Sequence, residues 1–281
     1  MSKDGVLYIV ATPIGNLDDL SVRALNTLKS VDLIAAEDTR HSKRLMNHFG
    51  IDTKLIAYHD HSSEQKSAQL IERLAAGEKI ALISDAGTPL INDPGYRIVS
   101  EARELGLTVV PVPGPSAPIT ALSASGLPTD SFAFVGFVPA KSHARKQFFE
   151  RHGAAAHTLV CFESPHRVLA SIEEAVEVLG GERKAVLARE LTKTFETFLG
   201  GTLGDIHAAL MADGNQCRGE MVLMISPAEK EQCVLEIDEP TEQMLMALCD
   251  ELPPKKAASL VSQFSGVPKK LLYQRAVELK S

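Results

Sequence analysis

The chain is short of the features that usually announce a metal or nucleotide site. Its four cysteines, Cys161, Cys217, Cys233 and Cys249, stand singly without a C-x-x-C pair. That argues against a zinc knuckle or a disulfide framework and fits a reducing cytoplasm. No G-x-G-x-x-G follows the first strand-like run and no G-x-x-x-x-G-K-[ST] occurs, so neither a dinucleotide fingerprint nor a P-loop is supported. A G-x-S-x-G elbow and an H-E-x-x-H helix are missing too. His59 and His61 flank Asp60, but with no third or fourth ligand in view no metal is expected. No apolar run approaches the roughly 18 residues of a membrane span. Residues 1–5 lead straight into a strand without the apolar length of a signal peptide. The expectation is a soluble, cytoplasmic protein.

The net charge of −7 argues against a general coating of nucleic acid, although local basic patches weigh more than the total. With 281 residues, 44% hydrophobic and 23% charged, the chain has an ordinary globular balance and room for two domains with a small appendage. Residues 6–11, 31–36, 53–58, 80–83 and 107–110 read as strands. The helix after the first turn carries Leu20, Ala24, Leu25 and Leu28 on one face, with an aspartate able to cap it. Another, starting at Ser62 or Ser63, turns Ala68, Ile71, Leu74 and Ala75 inward and stops at Gly77, and residues 96–105 form a third. Such alternation predicts a mostly parallel sheet covered on both faces.

Beyond residue 115 the pattern changes. Runs at 132–139, 157–163, 184–190, 195–202 and 219–226 are strand-like, with helices at 141–152, 165–179 and 204–212. Only Leu191-Thr192-Lys193-Thr194 links two of the strands, so a mixed sheet with antiparallel pairs is expected. Prolines 111, 113, 115 and 118 crowd the junction, giving domains at 1–115 and 116–238. Residues 239–281 form a helix-turn-helix-like tail, with helices at 241–252, 255–264 and after Pro268. The fold class is thus α/β, two domains plus a small helical module. From 253 to 281 six basic residues, Lys255, Lys256, Lys269, Lys270, Arg275 and Lys280, face Glu278 alone. This suits either a nucleic-acid contact or a small oligomerising or packing module with a solvated basic face. The clusters Lys141, Arg145, Lys146, Arg151 and Arg40, Lys43, Arg44 are readable either as phosphate contacts around the cleft mouth or as ordinary solvated helix faces.

The stretch Ile80 to Gly95 organises the rest: a buried strand breaks into a loop with Asp85, Gly87, Pro89, Asp93, Pro94 and Gly95, as open α/β sheets do when they build a ligand crevice. Similar loops end the other strands. Ala11-Thr12-Pro13-Ile14-Gly15-Asn16-Leu17, Glu37-Asp38-Thr39-Arg40, Ser84 to Pro89, Val112 to Ala117 and Arg189-Glu190-Leu191-Thr192-Lys193, in that order, closely resemble the ribosomal RNA small subunit methyltransferase I family of the tetrapyrrole-methylase superfamily. The resemblance covers residues 6 to about 226, and the basic tail matches this family in particular.

The resemblance implies S-adenosylmethionine folded into the cleft between two α/β domains. It carries the cofactor contacts onto Pro13, Ala86, Gly87, Thr88, Leu90, Ile91, Ser116, Ala117 and Phe162 or Glu163. Ala86 and Thr88 depart from the superfamily's G-G-D-P, and Asp85 stands where it can supply the lost carboxylate. It further implies 2′-O-methylation of a cytidine, nucleotide 1402 of 16S ribosomal RNA in the small ribosomal subunit, by a homodimer. Methyl transfer from a sulfonium requires the acceptor oxygen in line at about 3–3.5 Å and a group that takes or shares its proton. Glu37, Asp38, Arg40, Arg189, Glu190 and Lys193 lie at strand ends and are the candidates; each is equally readable as a structural ion pair. Two other readings stay open: a methylase of a tetrapyrrole or other small acceptor, and a non-catalytic RNA-binding assembly factor.

Overall fold

A computed structural model of the chain describes residues 5–58, 64–228 and 237–279; His59, Asp60, His61, Ser62, Ser63, Cys233 and Lys280 lie outside the described residues. Close contacts divide the chain into two units, Met1–Ala228 and Glu229–Ser281.

In the first unit, strands β1 (Val6–Val10), β2 (Leu33–Ala36), β3 (Leu55–Ala57), β4 (Lys79–Ile83) and β5 (Thr108–Val112) form an all-parallel sheet of order β3-β2-β4-β1-β5. Side chains alternate across it. Ile34, Ala36, Ala81 and Ile83 join one core with helices α1 (Val22–Ser30) and α2 (Thr39–Phe49); Leu33, Ala35, Ile80 and Leu82 join another with α3 (Glu64–Ala75) and α4 (Tyr96–Glu104). Burial on both faces is why these strands read as unbroken apolar runs. The chain leaves β1 toward β2 on one side and β4 toward β5 on the other. The carboxyl ends of the adjacent β1 and β4 therefore flank a topological switch point, where such sheets open a crevice.

Two local expectations need correction. Ser21, not an aspartate, caps α1, its Oγ accepting from the Ala24 amide at 3.0 Å, because Asp18 and Asp19 are spent in a separate short turn capped by Asn16. And the segment between β2 and β3, which the apolar pattern leaves unassigned because it buries only Ser42, Leu45 and Met46 in a strongly polar stretch, forms α2.

Helix α5 (Ala117–Ser125) leads to the second sheet: β6 (Phe132–Phe137), β7 (Thr158–Glu163), β8 (Lys184–Arg189), β9 (Thr197–Thr202) and β10 (Met221–Ile225), ordered β6-β7-β10-β8-β9. Only β6 and β7 pair in parallel. Its outer face, with Leu159, Cys161, Leu187 and Leu223, packs under α6 (Ser142–Gly153), α7 (Val168–Leu179) and α8 (Leu203–Ala212). Its inner face, with Val160, Val186, Ala188, Val222 and Met224, packs on Ala121 and Leu122 of α5 and on Ile14 from the loop after β1. Arg145 is not available to track phosphates: it is buried in a two-point pair with Glu174, at 2.7 and 2.8 Å, that locks α6 to α7, and Lys146 pairs with Glu177.

The second unit packs α9 (Glu239–Glu251), α10 (Pro254–Ser265) and α11 (Lys269–Glu278) around Leu245, Cys249, Ala258, Val261, Leu272 and Ala276. Gly266, with φ of 71°, ends α10 in the left-handed conformation and turns the chain into α11. Arg275 joins α11 to α9 through Glu242, so one of the expected basic contacts is neutralised within the module. Among the described residues no helix is long and apolar enough to cross a membrane.

Candidate functional site

At the switch point the loops are stitched by backbone and short side chains. Thr12 and Gly87 exchange reciprocal amide–carbonyl bonds, 2.8 and 3.0 Å, joining the ends of β1 and β4. Gly87 has φ of 82°, and a Cβ there would stand 3.3 Å from Ile14 Cγ2; only glycine accepts that conformation at no steric cost. Thr88 Oγ1 donates to the Pro115 carbonyl at 2.9 Å, and Asp85 Oδ1 accepts from the Asp38 amide at 2.9 Å. The loops after β1, β2, β4 and β5 thus form one frame. From the other sheet, the turn after β8 closes on this frame: a Cβ on Gly15 would lie 2.6 Å from Lys193 Cγ and 2.7 Å from Thr192 Oγ1.

Between them lies a cavity of about 670 Å³, within the range of small-molecule sites. The first half contributes Ile14, Glu37, Asp85 to Thr88, Ile91 to Asp93 and Ser116 to Pro118. The second contributes Phe137, Phe162 to Pro165, Glu190, Leu191, Lys193 and Gly219 to Val222. Among the described residues four non-glycine residues have positive φ: Leu90 (72°), Asn92 (64°), Glu190 (47°) and Thr192 (64°). All four sit in the two loops that face each other here. Each costs on the order of 1–3 kcal/mol, strain that survives only where the surroundings enforce it and that gathers at functional sites.

The cavity wall carries ordered charge. Lys193 Nζ lies 3.0 Å from Glu190 Oε1 and 3.0 Å from Glu220 Oε2, while the Glu220 amide donates to Glu190 Oε1 at 2.9 Å. Burial by itself would raise the pKa of Glu190, but the Glu220 amide and Lys193 outweigh it and hold the carboxyl below its usual range. Burial likewise opposes the charge on Lys193, and its two carboxylates outweigh that, leaving it raised. Lys193 is therefore a fixed ammonium. Glu163, 2% exposed, accepts from the Ser164 amide at 2.6 Å and stands 3.0 Å from Arg167 Nε without hydrogen-bond alignment. Its Oε2 has no hydrogen-bond partner, an acceptor whose unmet bond a ligand donor can make. Asp93 is pushed up by burial, pulled back by Ser84, and raised again by the charge of Asp85.

Of the residues singled out from sequence for a cofactor, Asp85, Ala86, Gly87, Thr88, Ile91, Ser116, Ala117, Phe162 and Glu163 line this cavity. Pro13 and Leu90 do not: Ile14 stands in the wall beside Pro13, and Leu90 packs on the core of the first sheet. Of the catalytic candidates, Glu37, Glu190 and Lys193 line it. Asp38 and Arg40 border an adjoining crevice of about 420 Å³ that shares Glu37 and Asp85. There Asp38 caps α2 and pairs with Arg40 at 3.1 Å, and hydrogen bonds from Arg40 lower its carboxyl to about 2, too acidic for a good base.

Arg189 is a correction. It has the parity of Leu187, which faces the helices, not of Ala188, which faces the inner side. Its buried guanidinium donates to Thr197 Oγ1, Gln216 Oε1 and the carbonyls of Asn215 and Arg218; it clamps the end of the sheet. Sequence reasoning placed Asp93 in the crevice loop without giving it a role, and missed Asn92, Phe137 and Glu220. Asp93 was discoverable as a site residue, being in the same loop as Asp85. Glu220 was not: the antiparallel register that sets Met221 opposite Arg189 brings it to Lys193 across 27 residues. Among the described residues no cluster of side chains that could hold a metal ion occurs.

The chain has relatives of known family. The profile of the Tetrapyrrole (Corrin/Porphyrin) Methylases matches residues 6–207, and that of the RsmI C-terminal HTH domain matches 236–280. A protein of Escherichia coli O157:H7, "Ribosomal RNA small subunit methyltransferase I", is 52% identical over 277 residues, covering 99% of this chain and 96% of the relative. The protein of the same name from Pseudomonas aeruginosa is 50% identical over 274 residues, 98% and 97% of the two chains. Among solved structures, a uroporphyrin-III-C-methyltransferase from Thermus thermophilus superposes with a TM-score of 0.56 at 21% identity, over 79% of this chain and 94% of that one. A diphthine synthase superposes with 0.61 at 15%, over 79% and 90%. These two share the fold. By its profile match and its near-full-length identity, the chain belongs to the tetrapyrrole methylases and, within them, to the family of ribosomal RNA small subunit methyltransferase I.

Proposed function

We propose that the chain transfers a methyl group from S-adenosylmethionine to the ribose 2′-oxygen of a cytidine in 16S ribosomal RNA, acting in the cytoplasm on the small ribosomal subunit and as a homodimer. The observation that carries this reading is identity of 50–52% to the named relatives across nearly the whole chain, the helical module included.

The cavity fits such a cofactor. Gly87 lines it with main chain alone, Glu163 Oε2 waits for a donor, and Asp85 offers a carboxylate. Asp85 to Thr88, Ile91, Ser116, Ala117, Phe162 and Glu163 would hold it. The cofactor, when bound, supplies a methyl group already activated by its sulfonium. The remaining work falls to this chain. Lys193, held as a cation by Glu190 and Glu220, stabilises negative charge on the acceptor oxygen. Asp93, a stronger base than an ordinary carboxylate because it is partly buried beside Asp85, takes the hydroxyl proton. Glu37 borders the acceptor side.

The test is incubation with methyl-labelled cofactor and, separately, small subunits, free ribosomal RNA and a tetrapyrrole precursor. Label is expected in the small subunit, released on digestion as 2′-O-methylcytidine. Label in the tetrapyrrole alone, or none anywhere despite cofactor binding, overturns the proposal.

A further inference from the structure

A second crevice, about 630 Å³, adjoins the cavity and shares Glu190 and Gly219 with it. One wall is the turn that follows β8, the other the segment 215–218. Phe195 stands in the mouth with 76% of its surface exposed. It is held there by construction. Glu190 and Thr192 take left-handed backbone, the Thr192 amide donates to Glu196 Oε2 at 2.7 Å, and backbone bonds run from Lys193 to Glu190 and from Glu196 to Lys193. A β-branched residue at positive φ is an outlier. The opposite wall is equally rigid, because Arg189 ties Thr197, Gln216, Asn215 and Arg218 together. The fold gains little from an aromatic ring left in water on a strained, braced turn; a binding surface gains a preformed platform.

We propose that this crevice is a nucleobase subsite in which Phe195 stacks an unpaired base of the RNA strand whose ribose enters the adjoining cavity. The inference rests on the reading of the chain as a ribosomal RNA methyltransferase. Continuity with the cavity favours this occupant, since a ribose and a base of one single strand lie within a nucleotide of each other. The chemistry favours it too. Proteins read unpaired RNA by stacking its bases on aromatic faces and bonding their edges, and Thr194 and Asn215 line the crevice together with Phe195. Arg218, exposed at the same wall, supplies a cation for a phosphate. The two carboxylates of the turn accept hydrogen bonds, Glu190 from Lys193 and from the Glu220 amide beside β10, Glu196 from the Thr192 amide.

The experiment compares the full-length protein with Phe195→Ala and Phe195→Trp for methyl transfer to small subunits, cofactor affinity by calorimetry, and sedimentation. Loss of one base–aromatic stack is expected to lower kcat/KM of F195A roughly 5- to 150-fold, with cofactor Kd within about twofold, unchanged melting and most of the rate restored in F195W. Wild-type kcat/KM in F195A overturns the subsite while leaving methyl transfer standing. So does a change of oligomeric state in F195A, which would assign Phe195 to a contact between copies of this chain. Small subunits left unlabelled by the parent protein would remove the functional reading itself, and the subsite with it.

Discussion

The two walls of the cavity are made by different means. The wall from the first sheet, residues 84–93, is held by main chain: the Thr12–Gly87 bridge, a glycine at positive φ, a bond that Thr88 donates to the Pro115 carbonyl and one that Asp85 accepts from the Asp38 amide. The wall from the second sheet, residues 190–193, is held by charge, with Lys193 between Glu190 and Glu220. A backbone-built wall is damaged by adding atoms; a charge-built wall is damaged by removing them. The first suits a cofactor recognised by shape, the second an acceptor whose charge changes during reaction.

The largest effect should come from Asp93, the carboxyl on the backbone-built side whose pKa burial raises. Asp93→Asn is expected to lower kcat at least about 100-fold with cofactor affinity kept, measured by single-turnover methyl transfer. The parent rate should fall as pH drops through the raised Asp93 pKa, and this acid limb should vanish in the variant. Stability moves the other way. A carboxyl raised on folding stabilises the fold below its unfolded pKa and loses that contribution as pH rises through the folded value. Asp93→Asn should therefore melt above the parent at neutral pH and lose that advantage below about pH 4. A variant with parental turnover and pH profile would move the base to another carboxylate.

Lys193→Met and Gly87→Val separate the walls directly. Lys193→Met should lower kcat by about 100-fold, as loss of one charge-stabilising donor does, and leave cofactor Kd unchanged. Gly87→Val should do the reverse, weakening cofactor binding by about 100-fold through overpacking and backbone strain of roughly 3 kcal/mol. Calorimetry and single-turnover rates on both variants check this; equal loss of both quantities in both variants would erase the distinction.

The smallest effect is expected at Asp38, outside the cavity. Its carboxyl, lowered from 3.8 to about 2 by Arg40, contributes stability that is present above its unfolded pKa and lost as pH falls through about 2. Asp38→Asn should leave methyl transfer near parental and flatten the acid end of the urea-unfolding midpoint against pH. A large loss of turnover would return Asp38 to the reacting groups.

The backbone-built wall was largely legible in the sequence, and the charge-built wall was not. Gly87, Pro89 and Gly95 mark a loop by their own backbone preferences, and the apolar runs before it mark buried parallel strands. Asp85 to Thr88 and Ile91 could be assigned to the cavity on those grounds together with the resemblance, whereas Pro13 and Leu90 could not be separated from Ile14 and Ile91, because facing is decided by the turn and not by proximity in sequence. Arg189 looked as reactive as Lys193. Strand parity turned one into a clamp and the other into the cavity wall.

The amino-acid sequence by itself determined the strands, the helices other than α2 and α5, the change from parallel to mixed pairing, the helical module and the loop at 84–95, since each is written in local periodicity and in glycine and proline positions. Only the tertiary structure decided that Lys193 meets Glu220, that Arg189 is withdrawn, and that Gly15 sits against Thr192. These are contacts between segments far apart along the chain, set by sheet register and by the packing of one layer on another, and no local pattern encodes them.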